Sequence, residues 1–225
     1  MFSALVTKIK GEEFRFDPRI KTTTLLKYFF LKTVGIVRFS LRFKTLKIGF
    51  LGPNINLRNK KKILFGKNLS IDRNCFIDAL STDGIVCGDN VSINKHVDIE
   101  CSGTMKNIGK GLILGNNVGI GSHCFFGCAG GIIIGSDTII GNYVSLHSEN
   151  HNYSDSTKPI RLQGVERKGI VIGKNCWIGS KVTILDGANI GDGCIVAAGA
   201  VVTNKNYPKN TIIGGVPAKT LKTRE

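Results

Sequence analysis

The sequence predicts an all-β solenoid, in which short strands coil around a triangular core. Aliphatic side chains recur every six residues between Ile170 and Lys205, a period that neither a helix nor an ordinary strand has. A hexapeptide of this kind forms one short strand and a turn, and about three of them close one coil. Glycine supplies 28 of 225 residues, above the usual share of ~7%, as the frequent turns require.

The repeated aliphatic position is expected to point into the prism and to stack on its copy in the next coil, ~4.8 Å away. These inward residues are Ile172, Ile178, Ile184, Ile190, Val196 and Val202. Smaller residues four positions later are expected at the corners, and they are Cys176, Val182, Ala188, Cys194 and Ala200. At Gly173, Gly179 and Gly191 we expect turns where a Cβ would clash or φ is positive.

The repeat continues towards the N-terminus with interruptions, so the solenoid is predicted over residues 62–218, followed by a C-terminal tail at 219–225. Short insertions interrupt it at 81–84, 103–111 and 128–131. A longer insertion, residues 148–169, exceeds the ~12 to 15 residues beyond which a loop is usually functional or disordered. We therefore look there first for chemistry.

The N-terminal segment, residues 1–61, is predicted to be basic, aromatic and partly helical. Residues 1–67 hold 16 Lys and Arg against 3 acidic residues, and so carry most of the net charge of +15. Residues 24–44 have the pattern of a basic amphipathic helix or helix pair. Two interpretations stay open: the segment caps the first coil, or it caps the coil and also contacts an anionic membrane surface.

Other classes of partner and location are disfavoured by the sequence. No helix-turn-helix, zinc-finger or RNP-like pattern accompanies the basic charge, so nucleic-acid binding is not expected. There is no uninterrupted apolar run of 18 residues and no cleavable signal pattern at the start. We expect a cytoplasmic protein, either free or peripheral at the inner face of the membrane.

The seven cysteines fall on packing positions of the repeat. Their number is odd and no CxxC occurs, which favours reduced thiols over disulfides or zinc ligands. Four lie at the small corner position, one at the aliphatic position and two beside insertions: Cys75, Cys124, Cys176 and Cys194; Cys87; Cys101 and Cys128. A catalytic cysteine is therefore disfavoured.

Four segments, in this order, resemble the hexapeptide-repeat, left-handed β-helix acyltransferases, in the branch of sugar O-acetyltransferases and xenobiotic acetyltransferases. The segments are VSLHSENHNY, KNCWIGSKVTIL, VAAGAVVT and IIGGVPAKTLK, within residues 112–222, about half of the chain. The resemblance implies a left-handed coil, acetyl-CoA as donor, no metal, and a homotrimer whose active sites lie between protomers.

In that family one histidine on the loop that leaves the coil acts as general base, and the matching residue here is His151. A neutral imidazole would take the proton of the attacking hydroxyl, which typically contributes 10² to 10⁴ in rate. His147 is the competitor for this role and could instead orient the acceptor. The predicted acceptor-binding residues are His147, Asn150, Phe125 and Phe126. His96 and His123 fall at exterior corners and are given no role.

The resemblance also implies a coenzyme A groove on the C-terminal coils. Its residues carry over as Ser180 and Ala198 along the pantetheine arm, Thr203 and Asn204 beside it, Lys219 and Lys222 towards the phosphates, backbone groups at Gly179 and Gly199, and the neighbouring Trp177. Family members often have arginine where Lys219 stands, so a bidentate phosphate contact is not implied at that position.

These observations favour an acetyl-CoA-dependent O-acetyltransferase that modifies a sugar hydroxyl of a bacterial surface polysaccharide, such as a capsule or O-antigen, or its precursor. An amino-sugar N-acetyltransferase is the nearest alternative, since a histidine base serves both acceptors. A γ-type carbonic anhydrase would need His123, His147 and His151 as zinc ligands, but their spacing does not suit it. A third alternative, a scaffold protein without catalytic activity, would bind no acetyl-CoA.

Overall fold

The computed structural model describes residue 13 and residues 15–224. Three long sheets form the faces of a triangular prism, and the coil is a left-handed parallel β-helix, as predicted. Face 1 consists of Phe50–Leu51, Ser70–Ile71, Ser92–Ile93, Gly119–Ile120, Ile139–Ile140, Trp177–Ile178, Ile195–Val196, Thr211–Gly215 and Ala218–Thr223. Face 2 consists of Asn56–Arg58, Phe76–Asp78, Asp98–Glu100, Phe125–Gly127, Ser145–His147, Thr183–Leu185 and Val201–Val202. Face 3 consists of Ile63–Phe65, Ile85–Cys87, Leu112–Leu114, Ile132–Ile134, Ile170–Ile172, Asn189–Ile190 and Asn206–Tyr207.

The core is the predicted column of repeated aliphatic side chains. The six inward residues from Ile172 to Val202 are each at most 1% exposed, and the small corner residues between them are buried as well. All seven cysteines are free and buried, in agreement with a packing role. Burial raises the pKa of the Cys87 thiol to about 12 and those of Cys124 and Cys176 to about 11, which opposes thiolate chemistry.

Corner residues with positive φ form polar and aromatic ladders along the outside of the prism. Where face 1 turns towards face 2, the exposed rings of His96 and His123 stack at 4.6 Å, and His123 stacks on Tyr143 at 4.9 Å. This agrees with the exterior position predicted for these two histidines. At Gly173, by contrast, φ is not positive. A Cβ there would collide with Asp192 of the next coil, so close coil packing explains this glycine.

One α-helix lies within the described residues, and it covers the open end of the first coil. It spans Thr22–Phe43 and ends at Lys44, which has a left-handed φ of 51°. Phe39 is fully buried and contacts the Phe65 ring at 5.2 Å, while Arg38 donates a hydrogen bond to the Leu51 carbonyl at 2.8 Å. The predicted helix is therefore continuous, and it caps the solenoid.

Both predicted ends of the solenoid need correction. Paired strands begin at Phe50, not at residue 62, because Leu51, Leu57 and Ile63 already follow the six-residue period and are buried. The lysine-rich stretch before Ile63, which includes the 3₁₀ turn Lys60–Lys62, obscured this coil in the sequence. At the other end, the predicted tail belongs to the strand Ala218–Thr223, which pairs antiparallel with Thr211–Gly215.

Among the described residues, no helix has the length and apolar character needed to cross a membrane.

Candidate active site

The long insertion is folded, and its hairpin presents the predicted general base. Asn150–His151 pairs antiparallel with Val165–Glu166, and a 3₁₀ turn at Ile160–Leu162 lies between the two strands. The side-chain amide of Gln163 donates to the Asp155 and Lys158 carbonyls, both at 2.8 Å, and accepts from the Asp155 N–H at 3.1 Å. These bonds satisfy the backbone polar groups that an irregular loop would expose.

Arg167 joins the two ends of the long insertion to each other and to the 103–111 insertion, which lies two coils earlier. Arg167 Nε lies 2.6 Å from a Glu149 oxygen, and both side chains are largely buried. The same guanidinium donates to the Ile108 and Asn107 carbonyls, each at 3.2 Å, in the 103–111 insertion. Because the pair is shielded and Arg167 also donates to two carbonyls, it restrains two loops together more than an exposed pair would.

His151 is exposed and opens onto a pocket of about 680 Å³. Asn150, Glu166, Lys168 and Asn204 line the same pocket. Lys168 Nζ lies 3.2 Å from a Glu166 oxygen and 3.1 Å from the Asn204 oxygen, and the Asn204 amide donates to the Gly187 carbonyl at 3.0 Å. The lining of this pocket thus includes both an accessible imidazole and side-chain hydrogen-bond donors.

His147 lines a second pocket, of about 190 Å³, on face 2. Its ring lies 5.5 Å from the Phe125 ring, and carboxylates of Glu100 and Glu149 complete the polar wall. Burial lowers the pKa of His147, so its neutral form is favoured at pH 7. The two histidines therefore face different pockets on either side of the start of the insertion.

Three of the four predicted acceptor-binding residues line a pocket, and the fourth does not. Phe125 and His147 share the smaller pocket, and Asn150 lies beside His151 in the larger one. Phe126 was wrongly predicted as a binding residue, since it is fully buried in the core. Adjacent residues of a strand point to opposite sides, so Phe125 faces outwards while Phe126 fills the prism.

The predicted donor residues are distributed over the C-terminal coils. Ser180, Ala198 and Gly199 lie where face 1 turns towards face 2, whereas Thr203 and Asn204 follow the last strand of face 2. Trp177 is 56% exposed on face 1, and the exposed Lys219 and Lys222 lie on the final strand. These residues surround the end of the prism nearest the hairpin.

The backbone N–H groups of two predicted donor-site glycines are already used within the fold. Gly179 is buried and donates to the Val196 carbonyl at 2.8 Å, and Gly199 donates to the Ser180 carbonyl at 3.0 Å. The prediction that these glycines offer free backbone groups to pantetheine is therefore wrong for both donors. Side chains at the corner, such as Ser180, remain accessible.

Four polar residues near the histidines were not predicted as site residues: Glu100, Arg167, Lys168 and Asp186. Asp186 did not stand out in the sequence, because polar residues such as Asp192 and Asn204 also stand two positions after an inward aliphatic residue. The structure shows it fully buried. Arg167 had no signal, since its partner Glu149 is 18 residues away along an irregular loop.

The three histidines required by the carbonic anhydrase alternative do not come together. His123 lies in the ring stack where face 1 turns towards face 2. His147 instead ends a strand of face 2, and His151 lies in the insertion that follows this strand. Within residues 15–224, no group of three or more histidine, cysteine, aspartate or glutamate side chains is placed to hold a metal ion.

A coil of hexapeptides with a histidine-bearing insertion defines the class of hexapeptide-repeat transferases. The family model for "Bacterial transferase hexapeptide (six repeats)" matches residues 169–204. WbbJ of Escherichia coli K12, named for lipopolysaccharide biosynthesis O-acetyl transfer, is 30% identical over 173 residues, which cover 74% of each chain. The chain belongs to the hexapeptide-repeat acyltransferase family.

Two further proteins are similar over different extents. Galactoside O-acetyltransferase of E. coli is 35% identical over 92 residues, which cover 40% of this chain and 43% of that protein. A mutant of AntD, an N-acyltransferase from Bacillus cereus solved with dTDP and coenzyme A, superposes with a TM-score of 0.58 at 16% identity, covering 84% of this chain and 89% of that one. The AntD likeness shows the fold alone.

Proposed function

We propose that the protein is an acetyl-CoA-dependent O-acetyltransferase that modifies a sugar hydroxyl of a bacterial surface polysaccharide or its precursor, with His151 as general base. The observation that carries this proposal is the hairpin, which holds an accessible imidazole at a pocket shared with Asn204 and Lys168. The similarity to WbbJ supports the class of acceptor, and the similarity to galactoside O-acetyltransferase supports transfer to a sugar oxygen.

The chemistry assigns two proton transfers to His151, one from the sugar hydroxyl and one to the departing thiolate. A sugar hydroxyl is a weak nucleophile at neutral pH, and a neutral imidazole within hydrogen-bond reach accepts its proton as the new C–O bond forms. The thioester C–S bond then breaks, and the same imidazolium returns the proton to the departing thiolate. Lys168 Nζ and the Asn204 amide line the same pocket, and such donors would favour the negative charge that develops on the carbonyl oxygen.

The donor is assigned to the C-terminal coils. Ser180 and Ala198 offer an accessible corner for an extended pantetheine, and Lys219 and Lys222 are exposed cations for the phosphates. Thr203 and Asn204 follow the last strand of face 2, and Asn204 lines the His151 pocket. Since the backbone donors of Gly179 and Gly199 are already used, side chains and carbonyls must supply the polar contacts.

We assign the reacting sugar hydroxyl to the pocket of His151 and Asn150, and a neighbouring part of the acceptor to the pocket beside His147. Phe125 offers a ring face for the apolar side of a sugar, and Glu100 and Glu149 offer carboxylate oxygens to its hydroxyls. The Glu100 carboxylate, which has no cation paired with it within residues 15–224, also favours an amino sugar, whose ammonium group it would attract. For this reason N-acetylation of an amino sugar is retained as the second candidate function.

We also propose a homotrimer and contact with the membrane surface. Exposed apolar side chains on the outer faces, such as Ile139 and Trp177, would be buried between parallel prisms. The helix exposes Phe30 and Leu41 to solvent together with the cations Lys27 and Arg42, a combination that suits an anionic membrane at its inner face. Such a location would bring the enzyme to lipid-linked glycan precursors.

The proposal is tested by incubating the purified protein with acetyl-CoA and a panel of neutral sugars, amino sugars and cell-envelope glycans, while released thiol and acetylated product are measured. We expect thiol release that depends on a hydroxyl acceptor, with an alkali-labile ester as product. Lys222→Glu should raise the KM for acetyl-CoA more than it lowers kcat, because a remote phosphate contact contributes uniform binding. Acceptor-dependent amide formation would favour the second candidate, and no acetyl-CoA binding would refute both.

A further inference from the structure

A fully buried carboxylate lies beneath the hairpin that carries His151. Both oxygens of Asp186 accept from the Lys168 N–H at 2.9 Å, and one also accepts from the Gly169 N–H at 2.7 Å. Within residues 15–224, no cation is paired with it. A buried charge is costly unless it is satisfied, and here backbone N–H groups alone satisfy it.

The position of Asp186 in the repeat shows that this carboxylate serves the insertion. Five coils place a buried side chain at the same point, where face 2 turns towards face 3. In chain order these residues are Ala79, Cys101, Cys128, Ser148 and Asp186. The first three are small and weakly polar. Among these five buried residues, only Ser148, where the insertion begins, and Asp186, in the coil that follows it, have a hydroxyl or a carboxylate.

The two polar residues fix the two ends of the insertion. At the outgoing end, Ser148 Oγ donates to the Gly127 carbonyl at 2.8 Å and accepts from the Gly130 N–H at 2.9 Å. At the returning end, Asp186 holds Lys168 and Gly169. Side-chain oxygens at this corner therefore fix the backbone at both ends of the insertion, whereas the alanine and the two cysteines of the three earlier coils have no oxygen acceptor.

The returning chain leads directly to the catalytic candidate. Glu166 and Val165, two and three residues before Lys168, pair with Asn150 and His151. Once its backbone is held, Lys168 directs its side chain to Glu166 and Asn204 on the wall of the His151 pocket. A displacement at Asp186 would thus move both the strand that pairs with His151 and the Lys168 donor in the same pocket.

We propose that Asp186 is a positioning residue that holds the hairpin, and through it His151, in the reactive geometry. The catalytic part of this proposal rests on the proposed function. Asparagine at this position keeps one acceptor oxygen but turns an NH₂ group towards backbone N–H donors, so one of the observed bonds is lost. Misplacement of a reacting group by about 1 Å can cost about 10²-fold in rate.

The test compares Asp186→Asn with Asp192→Asn in the full-length protein. Asp192 is a matched control, because its oxygen also accepts a backbone N–H, from Lys174 at 2.7 Å, but at a corner away from the insertion. Three quantities are measured for each variant: kcat and KM for acetyl-CoA, hydrogen exchange of peptides covering residues 148–169, and the imidazole resonances of the four histidines. If Asp186→Asn does not fold, Asp186→Ser, which copies Ser148 of the preceding coil, replaces it.

We expect Asp186→Asn to lower kcat by about 10²-fold with little change in KM, to speed exchange within residues 148–169, and to shift the His151 resonance while leaving those of His96 and His123 in place. The selective shift distinguishes positioning from general damage to the fold. Wild-type exchange and an unshifted His151 resonance would overturn the proposal, as would normal kcat in a variant whose hairpin is loosened. If the wild type transfers no acetyl group, the proposed function fails, while exchange and resonance still decide whether Asp186 holds the hairpin.

Discussion

The coils and the long insertion of this protein are stabilised in different ways. In the coils, one aliphatic side chain per hexapeptide stacks on its copy, and backbone hydrogen bonds link each coil to the next. In the insertion, individual polar contacts hold a unique shape, such as those of Gln163 and of the Arg167–Glu149 pair. The coils are built from one repeated packing contact and offer few reactive groups. The insertion presents reactive groups, but its shape depends on single residues.

The comparison predicts that histidines in the two regions differ in their effect on the rate. We expect His151→Ala to lower acetyl transfer by about 10² to 10⁴, the range for losing a general base, without loss of fold. His123→Ala is the matched control in a regular coil, where it should leave the rate nearly unchanged because its ring only stacks on neighbouring corner residues. Steady-state thiol release measures both. A His151 variant that keeps half of the wild-type rate would transfer the role to His147.

The adjacent residues Phe125 and Phe126 belong to one strand, but the first lines the His147 pocket and the second lies in the core. Phe126→Ala should lower the free energy of unfolding by about 3 to 5 kcal/mol, since it removes a fully buried aromatic ring. Phe125→Ala should cost far less stability but should raise the KM for the acceptor. Denaturant unfolding and acceptor kinetics test the pair. Equal stability losses would show that Phe125 also belongs to the core.

The N-terminal helix presents a third surface, basic and apolar, that differs from those of the coils and the insertion. If it contacts the membrane, Lys27→Gln with Arg42→Gln should weaken sedimentation with anionic vesicles, at about 1 kcal/mol for each cation, and high salt should release the wild type. The exposed pair Lys174→Gln with Lys209→Gln is the control and should sediment like the wild type. A wild type that never sediments with anionic vesicles would leave the helix with its capping role alone.

The smallest expected effect concerns pH. Burial lowers the pKa of His147 in the folded state, so the unfolded chain binds more protons as the pH falls below about 6.5. Burial of neutral His147 therefore contributes its full stability to the folded state above about pH 6.5, and this stability is lost as the pH falls through the lowered folded pKa. His147→Gln should therefore make Tm fall less steeply than in the wild type between pH 7 and pH 5. An identical slope in both proteins would show that His147 titrates as it does in water.

The same contrast explains what the sequence could predict. The inward column and the buried cysteines were predictable, because the same packing requirement recurs in every hexapeptide. The coil from Leu51 to Ile63 was missed, since lysines interrupt its pattern. Phe126 was misassigned because the choice between core and surface depends on the register of a single strand.

The candidate site was only partly predictable. Resemblance pointed to His151 by its spacing from the preceding strand, and the structure places that residue on an accessible hairpin. The contacts that form this hairpin join residues far apart in the sequence, such as Arg167 with Asn107 and Lys168 with Asp186. Irregular contacts of this kind have no period, and for that reason the sequence indicated a functional insertion but not its hairpin.

Removal of the insertion tests the central claim most directly, namely that the coils supply the framework and donor groove while the insertion supplies the chemistry. Its ends are adjacent, because the Ser148 carbonyl and the Gly169 nitrogen both lie beside Gly130. The preceding coil crosses the same corner with only Ala129 and Gly130 between Cys128 and Gly131. Residues 149–168 can therefore be replaced by the dipeptide Ala-Gly.

The shortened protein is compared with the wild type for folding, for acetyl-CoA binding by calorimetry and for acetyl transfer to the acceptor found in the panel. We expect a folded protein that still binds acetyl-CoA but transfers at least as slowly as His151→Ala, about 10² to 10⁴ below the wild type. Transfer at the wild-type rate by the shortened chain would contradict the account, because the coils alone would then contain the catalytic group.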